Sequence, residues 1–205
     1  VLQWLADSAD AFRKSKLPGR GVRLYINMIE TAFKNFWATV GPWWPKIFNA
    51  EERHAWAVLD IHWYTAWAVG TCDGRVVPGG AYMCNMPLEH IRPILQTCIQ
   101  KYATGFAKYV DGLRAISEFS LGTYSTAALA CDDPALLHMF LEEQVSTFAE
   151  HQIQPFFWTW KMPYGKTFEP GWSLKFITGQ EEAPPDHACV KRGWPSLEHG
   201  SLSVI

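Results

Sequence analysis

No block of lysine or arginine interrupts this chain, whose 18 basic and 20 acidic residues leave a net charge of −2 and a pI near 6.4. Phosphate backbones require a concentrated basic footprint, so nucleic acid is not the expected partner. Long apolar runs are also missing. None approaches the ~20 residues that span a bilayer, and the N-terminus has no basic-then-apolar leader pattern. The reading is a water-exposed globular protein without a membrane partner. There is no Cys-x-x-Cys pair and no Cys/His spacing of the kind that holds zinc, so a metal is not expected. Neither Gly-x-Gly-x-x-Gly nor a phosphate loop follows any apolar run. A serine-nucleophile α/β hydrolase is disfavoured by the lack of a Gly-x-Ser-x-Gly elbow, and no asparagine sits in an Asn-x-Ser/Thr acceptor.

Aromatic residues are abundant, with 11 Trp, 12 Phe and 7 Tyr in 205 residues. Most tryptophans bury their large rings in a core. Trp43, Trp44, Trp63, Trp67 and Trp172 fall near expected turns or strand ends, where rings can line a cleft instead. The five cysteines, at 72, 84, 98, 131 and 189, are odd in number. Cys72 and Cys84 bracket a Gly/Pro-rich excursion, Gly70 to Pro87, that a disulfide would close in a secreted protein. Buried free thiols are the other reading.

Periodicity along the chain alternates between helix and strand. Residues 2–16 repeat at three- and four-residue spacing and read as an amphipathic helix ending near Leu17-Pro18-Gly19. Val22 to Ile29 reads as a buried strand, followed by a loop rich in aromatics and prolines. Residues 55–62 form a second apolar strand, and a long loop follows. Pro87 opens a helix to about Val110, with Ile91, Ile94, Leu95, Cys98 and Ile99 on one face. Leu113 to Phe119 is the third strand. Asp132-Asp133-Pro134 caps a helix to about His151, with Leu136, Leu137, Phe140, Leu141, Val145 and Phe148 as its apolar stripe. Pro155 to Trp160 is the fourth strand, and from Gly179 the composition becomes that of a loosely held tail.

Strands apolar on both faces, alternating with helices, predict an α/β fold with a parallel sheet. Polar and aromatic residues arrive at the C-terminal ends of these strands, where a (β/α)8 TIM barrel keeps its active site. A doubly wound sheet also binds ligands at strand C-termini, but it lacks here the glycine-rich turn that would support it. A complete barrel needs ~250 residues, and four strands account for half of one. The chain is therefore expected to be the C-terminal half of a longer barrel, about strands 5–8, with a partial catalytic domain over 1–180 and a tail over 181–205.

Glu118 ends the third apolar run, so its carboxylate would be partly desolvated and oriented rather than freely solvated. The bland reading is an exposed acid at a strand end. His62 and Tyr64 are two apart and would point to one face of a strand, where a phenol and an imidazole could orient an acid. A satisfied structural histidine is an equal reading. Trp158 and Trp160 would likewise share a face, one of them flooring a sugar site while the other packs behind it. An acid beside aromatic faces suits glycoside cleavage, which needs a carboxylate at an oxocarbenium-like centre and apolar ring faces under the sugar.

Asp60-Ile61-His62-Trp63-Tyr64, Ser117-Glu118-Phe119-Ser120 and Phe157-Trp158-Thr159-Trp160-Lys161 resemble the last three strand-end motifs of family 5 glycoside hydrolases, nearest to the fungal exo-β-1,3-glucanase branch. The resemblance covers about residues 3–180. It implies a retaining hydrolase of β-glucan oligo- or polysaccharides, extracellular or in the cell wall, with Glu118 as nucleophile supported by His62 and Tyr64. It implies Trp160, less directly Trp158, as the floor of the reacting subsite and Trp67 as an aromatic at the cleft mouth. It also implies a bridge from Cys98 to Cys189. Ser117 stands where the family has glycine, and Thr123-Tyr124-Ser125-Thr126 stands where the family has a Thr-Asp-Cys segment, a departure from the family's disulfide pattern. The family's acid/base glutamate lies in an Asn-Glu-Pro motif that this chain lacks, and the expectation is that it lies upstream of Val1. The alternative is a non-catalytic glycan-binding protein that keeps the aromatic cleft without the acid.

Overall fold

The computed structural model describes residues 1–28, 35–65, 88–122, 133–162 and 169–182. Four strands, β1 (Leu24–Met28), β2 (Ala57–Trp63), β3 (Leu113–Phe119) and β4 (Ile153–Phe157), form one parallel sheet in the order β1-β2-β3-β4. β1 and β2 pair in register from Leu24 opposite Ala57 to Met28 opposite Ile61. β2 is buried along almost its whole length, as a strand covered on both faces must be. Helices α1 (Leu2–Lys14), α2 (Phe36–Ile47), α3 (Ala50–Ala55), α4 (Leu88–Tyr109), α5 (Pro134–Glu150) and the short α6 (Leu174–Ile177) complete the α/β alternation.

The segment expected to be a loop between the first two strands is instead helical. Phe36, Val40 and Trp44 recur every four residues and are all buried, and this stripe overrides Pro42 and Pro45 within α2. Trp44 is part of the core rather than of a cleft, with its indole N–H donating to the carbonyl of Asp111 at 3.2 Å. Trp63 is buried too. α3 begins with a reciprocal cap: Asn49 Oδ1 accepts from the Glu52 amide at 3.0 Å, and Glu52 Oε2 accepts from the Asn49 amide at 3.0 Å. β4 ends at Phe157, not Trp160. Beyond it the Thr159 amide and the Thr159 and Trp160 carbonyls turn to Trp172, Leu174 and Lys175, which takes Thr159 and Trp160 out of the ladder. In α5 Val145 faces solvent while Gln144 and Thr147 are buried, because Gln144 donates to the Ser120 carbonyl at 3.2 Å and Thr147 Oγ1 accepts from Gln100 at 3.2 Å. Leu95, Cys98 and Ile99 of α4 are buried as expected; the side chains of Ile91 and Ile94 lie outside the described residues.

Two compact units divide the chain. One comprises residues 1–62, 102–117 and 148–156. Its core joins α1 to α3 with the starts of the strands: Trp37 stacks on Tyr109 at 5.8 Å, and Phe48 packs between Trp44 and Trp56. Gly112, with φ +108, makes the turn into β3, where a Cβ would stand 2.4 Å from the Arg53 carbonyl oxygen. Within this unit the first and last strands of the sheet meet through side chains. Tyr25 Oη donates to Gln154 Oε1 at 2.7 Å, and its ring meets Phe156 edge-on at 6.1 Å. Three strand spacings of about 4.8 Å separate β1 from β4 in a flat sheet, so the strand starts must curl toward that face. The other unit comprises residues 63–101, 118–147 and 157–205. Its core is formed by α5 and the first half of α4 with the segments that follow β3 and β4.

Candidate functional site

Tyr64 and Glu118, both in the second unit, are brought together just past β2 and at the end of β3. Tyr64 Oη donates to Glu118 Oε2 at 2.6 Å, and both side chains are half-buried. Burial, reinforced by the hydrogen bond and charge of Glu118, pushes the Tyr64 phenol far above its ordinary range. Tyr64 therefore keeps its proton and acts as a permanent donor to the carboxylate.

Tyr64 is backed by Trp172, whose indole stacks on it at 5.0 Å with 27° between the planes. Trp172 is buried, which makes it the support of the phenol rather than a surface of the cleft. Gly122 allows this arrangement, since a Cβ there would fall 2.3 Å from Trp172 Nε1. Thr65 Oγ1 fixes the same glycine by donating to its carbonyl at 2.8 Å, and the Leu121 amide donates to the Gly171 carbonyl at 2.8 Å. Gly122, Thr65 and Gly171 were not singled out from the sequence. The available signal was the glycine four residues after Glu118, at the point where the chain leaves β3.

Trp158 and Trp160 belong to the same unit and leave 49% and 53% of their surfaces exposed. The Trp158 amide donates to the Phe119 carbonyl at 2.8 Å, and Phe157 meets Phe119 edge-on at 5.2 Å, so the backbone under these rings is tied to the residue after Glu118. Two half-exposed indoles on a pinned segment give an apolar surface suited to the C–H face of a sugar ring. Nearby, Lys161 pairs with Glu181 at 3.5 Å, and Glu181 Oε2 accepts from Ser173 Oγ at 3.1 Å. The first residues of the expected tail are thus held in place. Residues from 183 onward lie outside the described residues, as do Trp67, Thr123 to Thr126 and the Cys72 to Cys84 excursion.

His62 is half-exposed near the end of β2, in the first unit. In the same unit Asp60, only 2% exposed, accepts from Asn27 Nδ2 at 2.7 Å through Oδ2 and from the Ser117 amide at 2.8 Å through Oδ1. Asn27 also donates to Ser117 Oγ at 3.3 Å. This carboxylate ties β1, β2 and β3 together one residue before Glu118. Serine at 117, where the resembled family has glycine, thereby gains a partner for its hydroxyl. Among the described residues no group of His, Cys, Asp and Glu is placed to hold a metal ion, and no helix is long and apolar enough to cross a membrane. Cys98 is disulfide-bonded, and the chain's other four cysteines all lie outside the described residues.

No protein-family profile matches the sequence, and no curated protein matches it. Among solved structures the chain is similar to a β-glucuronidase of an uncultured Clostridium sp., with a TM-score of 0.41 and 14% identity over 94% of this chain and 35% of that one. The chain spans about a third of the length of that protein.

Proposed function

We propose that this chain is the C-terminal part, residues 1–180 with a tail over 181–205, of a (β/α)8 glycoside hydrolase that cleaves β-glucans by a retaining, exo-β-1,3-glucanase-like mechanism. The observation that carries the reading is the 2.6 Å hydrogen bond from Tyr64 to Glu118 at adjoining strand ends. A nucleophilic carboxylate must stay ionised and aimed, and a phenol that cannot lose its proton does both. The curl at the strand starts supports a barrel segment.

In this mechanism Glu118 attacks the anomeric carbon to give a glycosyl-enzyme ester. A second carboxyl group, outside residues 1–205, protonates the leaving oxygen and then activates water. The two must lie about 5–5.5 Å apart for covalent attack without an intervening water. By resemblance His62 is a second support of the nucleophile beside Tyr64, Trp160 and Trp158 floor the reacting subsite, and Trp67 stands at the cleft mouth. No cofactor or metal takes part. The disulfide at Cys98 supports secretion to the cell surface or wall, where such bonds persist. Its partner by resemblance is Cys189.

The test uses the full-length protein that carries this chain. Glu118→Gln should retain laminari-oligosaccharide binding and lose turnover by roughly 10⁴-fold or more, as removal of a covalent nucleophile does. A 2-deoxy-2-fluoroglucoside should label the wild type on Glu118, read by peptide mass. Near-normal laminarin hydrolysis by Glu118→Gln would overturn the assignment. Saturable oligosaccharide binding with no turnover by the wild type would instead identify a glycan-binding protein.

A further inference from the structure

A cavity of about 260 Å³ opens at the starts of the strands, entirely within the first unit. Four of its lining side chains are polar: Arg23 before β1, Arg114 at the start of β3, and Gln152 and Gln154 around the start of β4. Val58, Leu113 and Ile153 supply the apolar remainder of the wall, and among the described residues no carboxylate lines it.

Arg114 holds its guanidinium in place with two bonds to neutral carbonyls. Nη1 donates to Val110 at 2.7 Å and Nη2 to His151 at 2.7 Å. Its Nε is buried and has no acceptor. Burial disfavours the charged form of this guanidinium, and the one acid that offsets the effect, Asp111, is already engaged by Arg53 at 2.8 Å and His54 at 3.3 Å. A half-buried guanidinium with no carboxylate in contact among the described residues carries a desolvation cost that an anion on its accessible side would offset. Arg23 contributes a second positive charge to the same wall and makes no ion pair among the described residues. Gln154 has its carbonyl oxygen occupied by the Tyr25 hydroxyl, which turns the amide into a donor toward any further partner. Gln152 sits at a left-handed φ of 53°, an uncommon conformation for a residue that is neither glycine nor asparagine.

We propose that this cavity is a binding site for a small oxyanion, a phosphate or carboxylate group, taken between the Arg114 and Arg23 guanidinium groups with the two glutamine amides as further donors. Guanidinium groups match both anions through paired N–H donors, and the cavity has room for the anionic group together with a few carbon atoms. The site is separate from Glu118 and does not depend on the chain's being a glycosidase.

The experiment titrates the full-length protein with inorganic phosphate, and separately with acetate, against sodium chloride at matched ionic strength. The Arg Nε–H region of a ¹⁵N spectrum serves as the readout. A saturable shift of one Nε–H signal is expected, assigned to Arg114 by its loss in Arg114→Lys. Because Arg114 also braces two carbonyls, that variant can fail to fold. Arg23→Gln, at an exposed position, then carries the test: it should weaken binding roughly tenfold or more, or about 1.4 kcal/mol. Phosphate binding without acetate binding would assign a tetrahedral anion, and the reverse a carboxylate. Glu118→Gln should bind like the wild type, which separates this result from the glycosidase reading. No saturable shift with either anion, or an Arg23→Gln titration identical to the wild type, would overturn the proposal.

Discussion

At Tyr64 a single hydroxyl bridges burial and charge. Its ring lies on Trp172 and its oxygen on Glu118, so removing the oxygen alone separates the two roles. Tyr64→Phe keeps the stack and deletes the hydrogen bond to the carboxylate. A bond to a charged group contributes about 1.5–3 kcal/mol, so kcat/KM toward a β-glucoside should fall roughly 10- to 150-fold and the melting temperature by several degrees at most. The check is steady-state kinetics beside a thermal melt. Activity equal to the wild type would remove Tyr64 from the site. Gly122→Ala probes the same pair from the other side. Its methyl group would meet the indole of Trp172 at far below contact distance, so the fold should lose about 1–3 kcal/mol in a denaturant melt, and the activity should fall with it. A stability equal to the wild type would mean that the indole has room to move.

The helices that brace the strand starts depend on one buried acid. Glu52 is paired with Arg13, caps the Asn49 amide and is only 8% exposed. The Arg13 bond, followed by the cap and the Arg13 charge, holds its carboxyl below the ordinary range against the opposing effect of burial. A carboxyl depressed in the fold binds protons more readily when the chain is unfolded. Its contribution is therefore present above the ordinary glutamate value, about 4.3, and is lost as pH falls from there through the depressed value. Denaturant melts from pH 6 to pH 3 should show stability falling over that window, with a shallower fall in Glu52→Gln. Equal slopes would dismiss the linkage. The cap itself was legible as Asn49-x-x-Glu52, but it lies in a stretch where Pro42 and Pro45 suggested a loop. The four-residue repeat of Phe36, Val40 and Trp44 outweighs those prolines because tertiary burial decides helix stability more than propensity does. β3 was readable to the residue, since an apolar run bounded by glycine and polar residues has one reading. The end of β4 was not, because the partners that take Thr159 and Trp160 out of the ladder come from residues 172–175, beyond any local pattern. At the site, Glu118 and Tyr64 could be named from strand-end position and resemblance. Gly122 could not, because its role depends on where the Trp172 ring packs.

For the chain as a whole, the disulfide at Cys98 joins a buried position on α4 to one of four distant cysteines. The two nearest in sequence are Cys84 and Cys72, at 14 and 26 positions, and the resembled family implies Cys189, at 91. In the chain-entropy account a crosslink stabilises by restricting the unfolded chain, and the restriction grows with the loop it closes, from about 3 kcal/mol for 15 residues to about 4.7 for 100. Cys98→Ser removes the bond and places a polar hydroxyl at a buried site, so it should cost more than the crosslink alone. Cys189→Ser leaves α4 undisturbed and removes the same bond only where Cys189 is the partner. If Cys189 is the partner, both variants should melt well below the wild type, and a reducing agent should lower the wild type toward Cys189→Ser while leaving that variant unchanged. A Cys189→Ser protein that melts like the wild type and still responds to reductant would assign Cys98 to another partner. Non-reducing peptide mapping would then identify it. Loss of yield in a reducing cytosol, recovered on export to an oxidising compartment, is the corresponding expectation for a chain that folds with this bond.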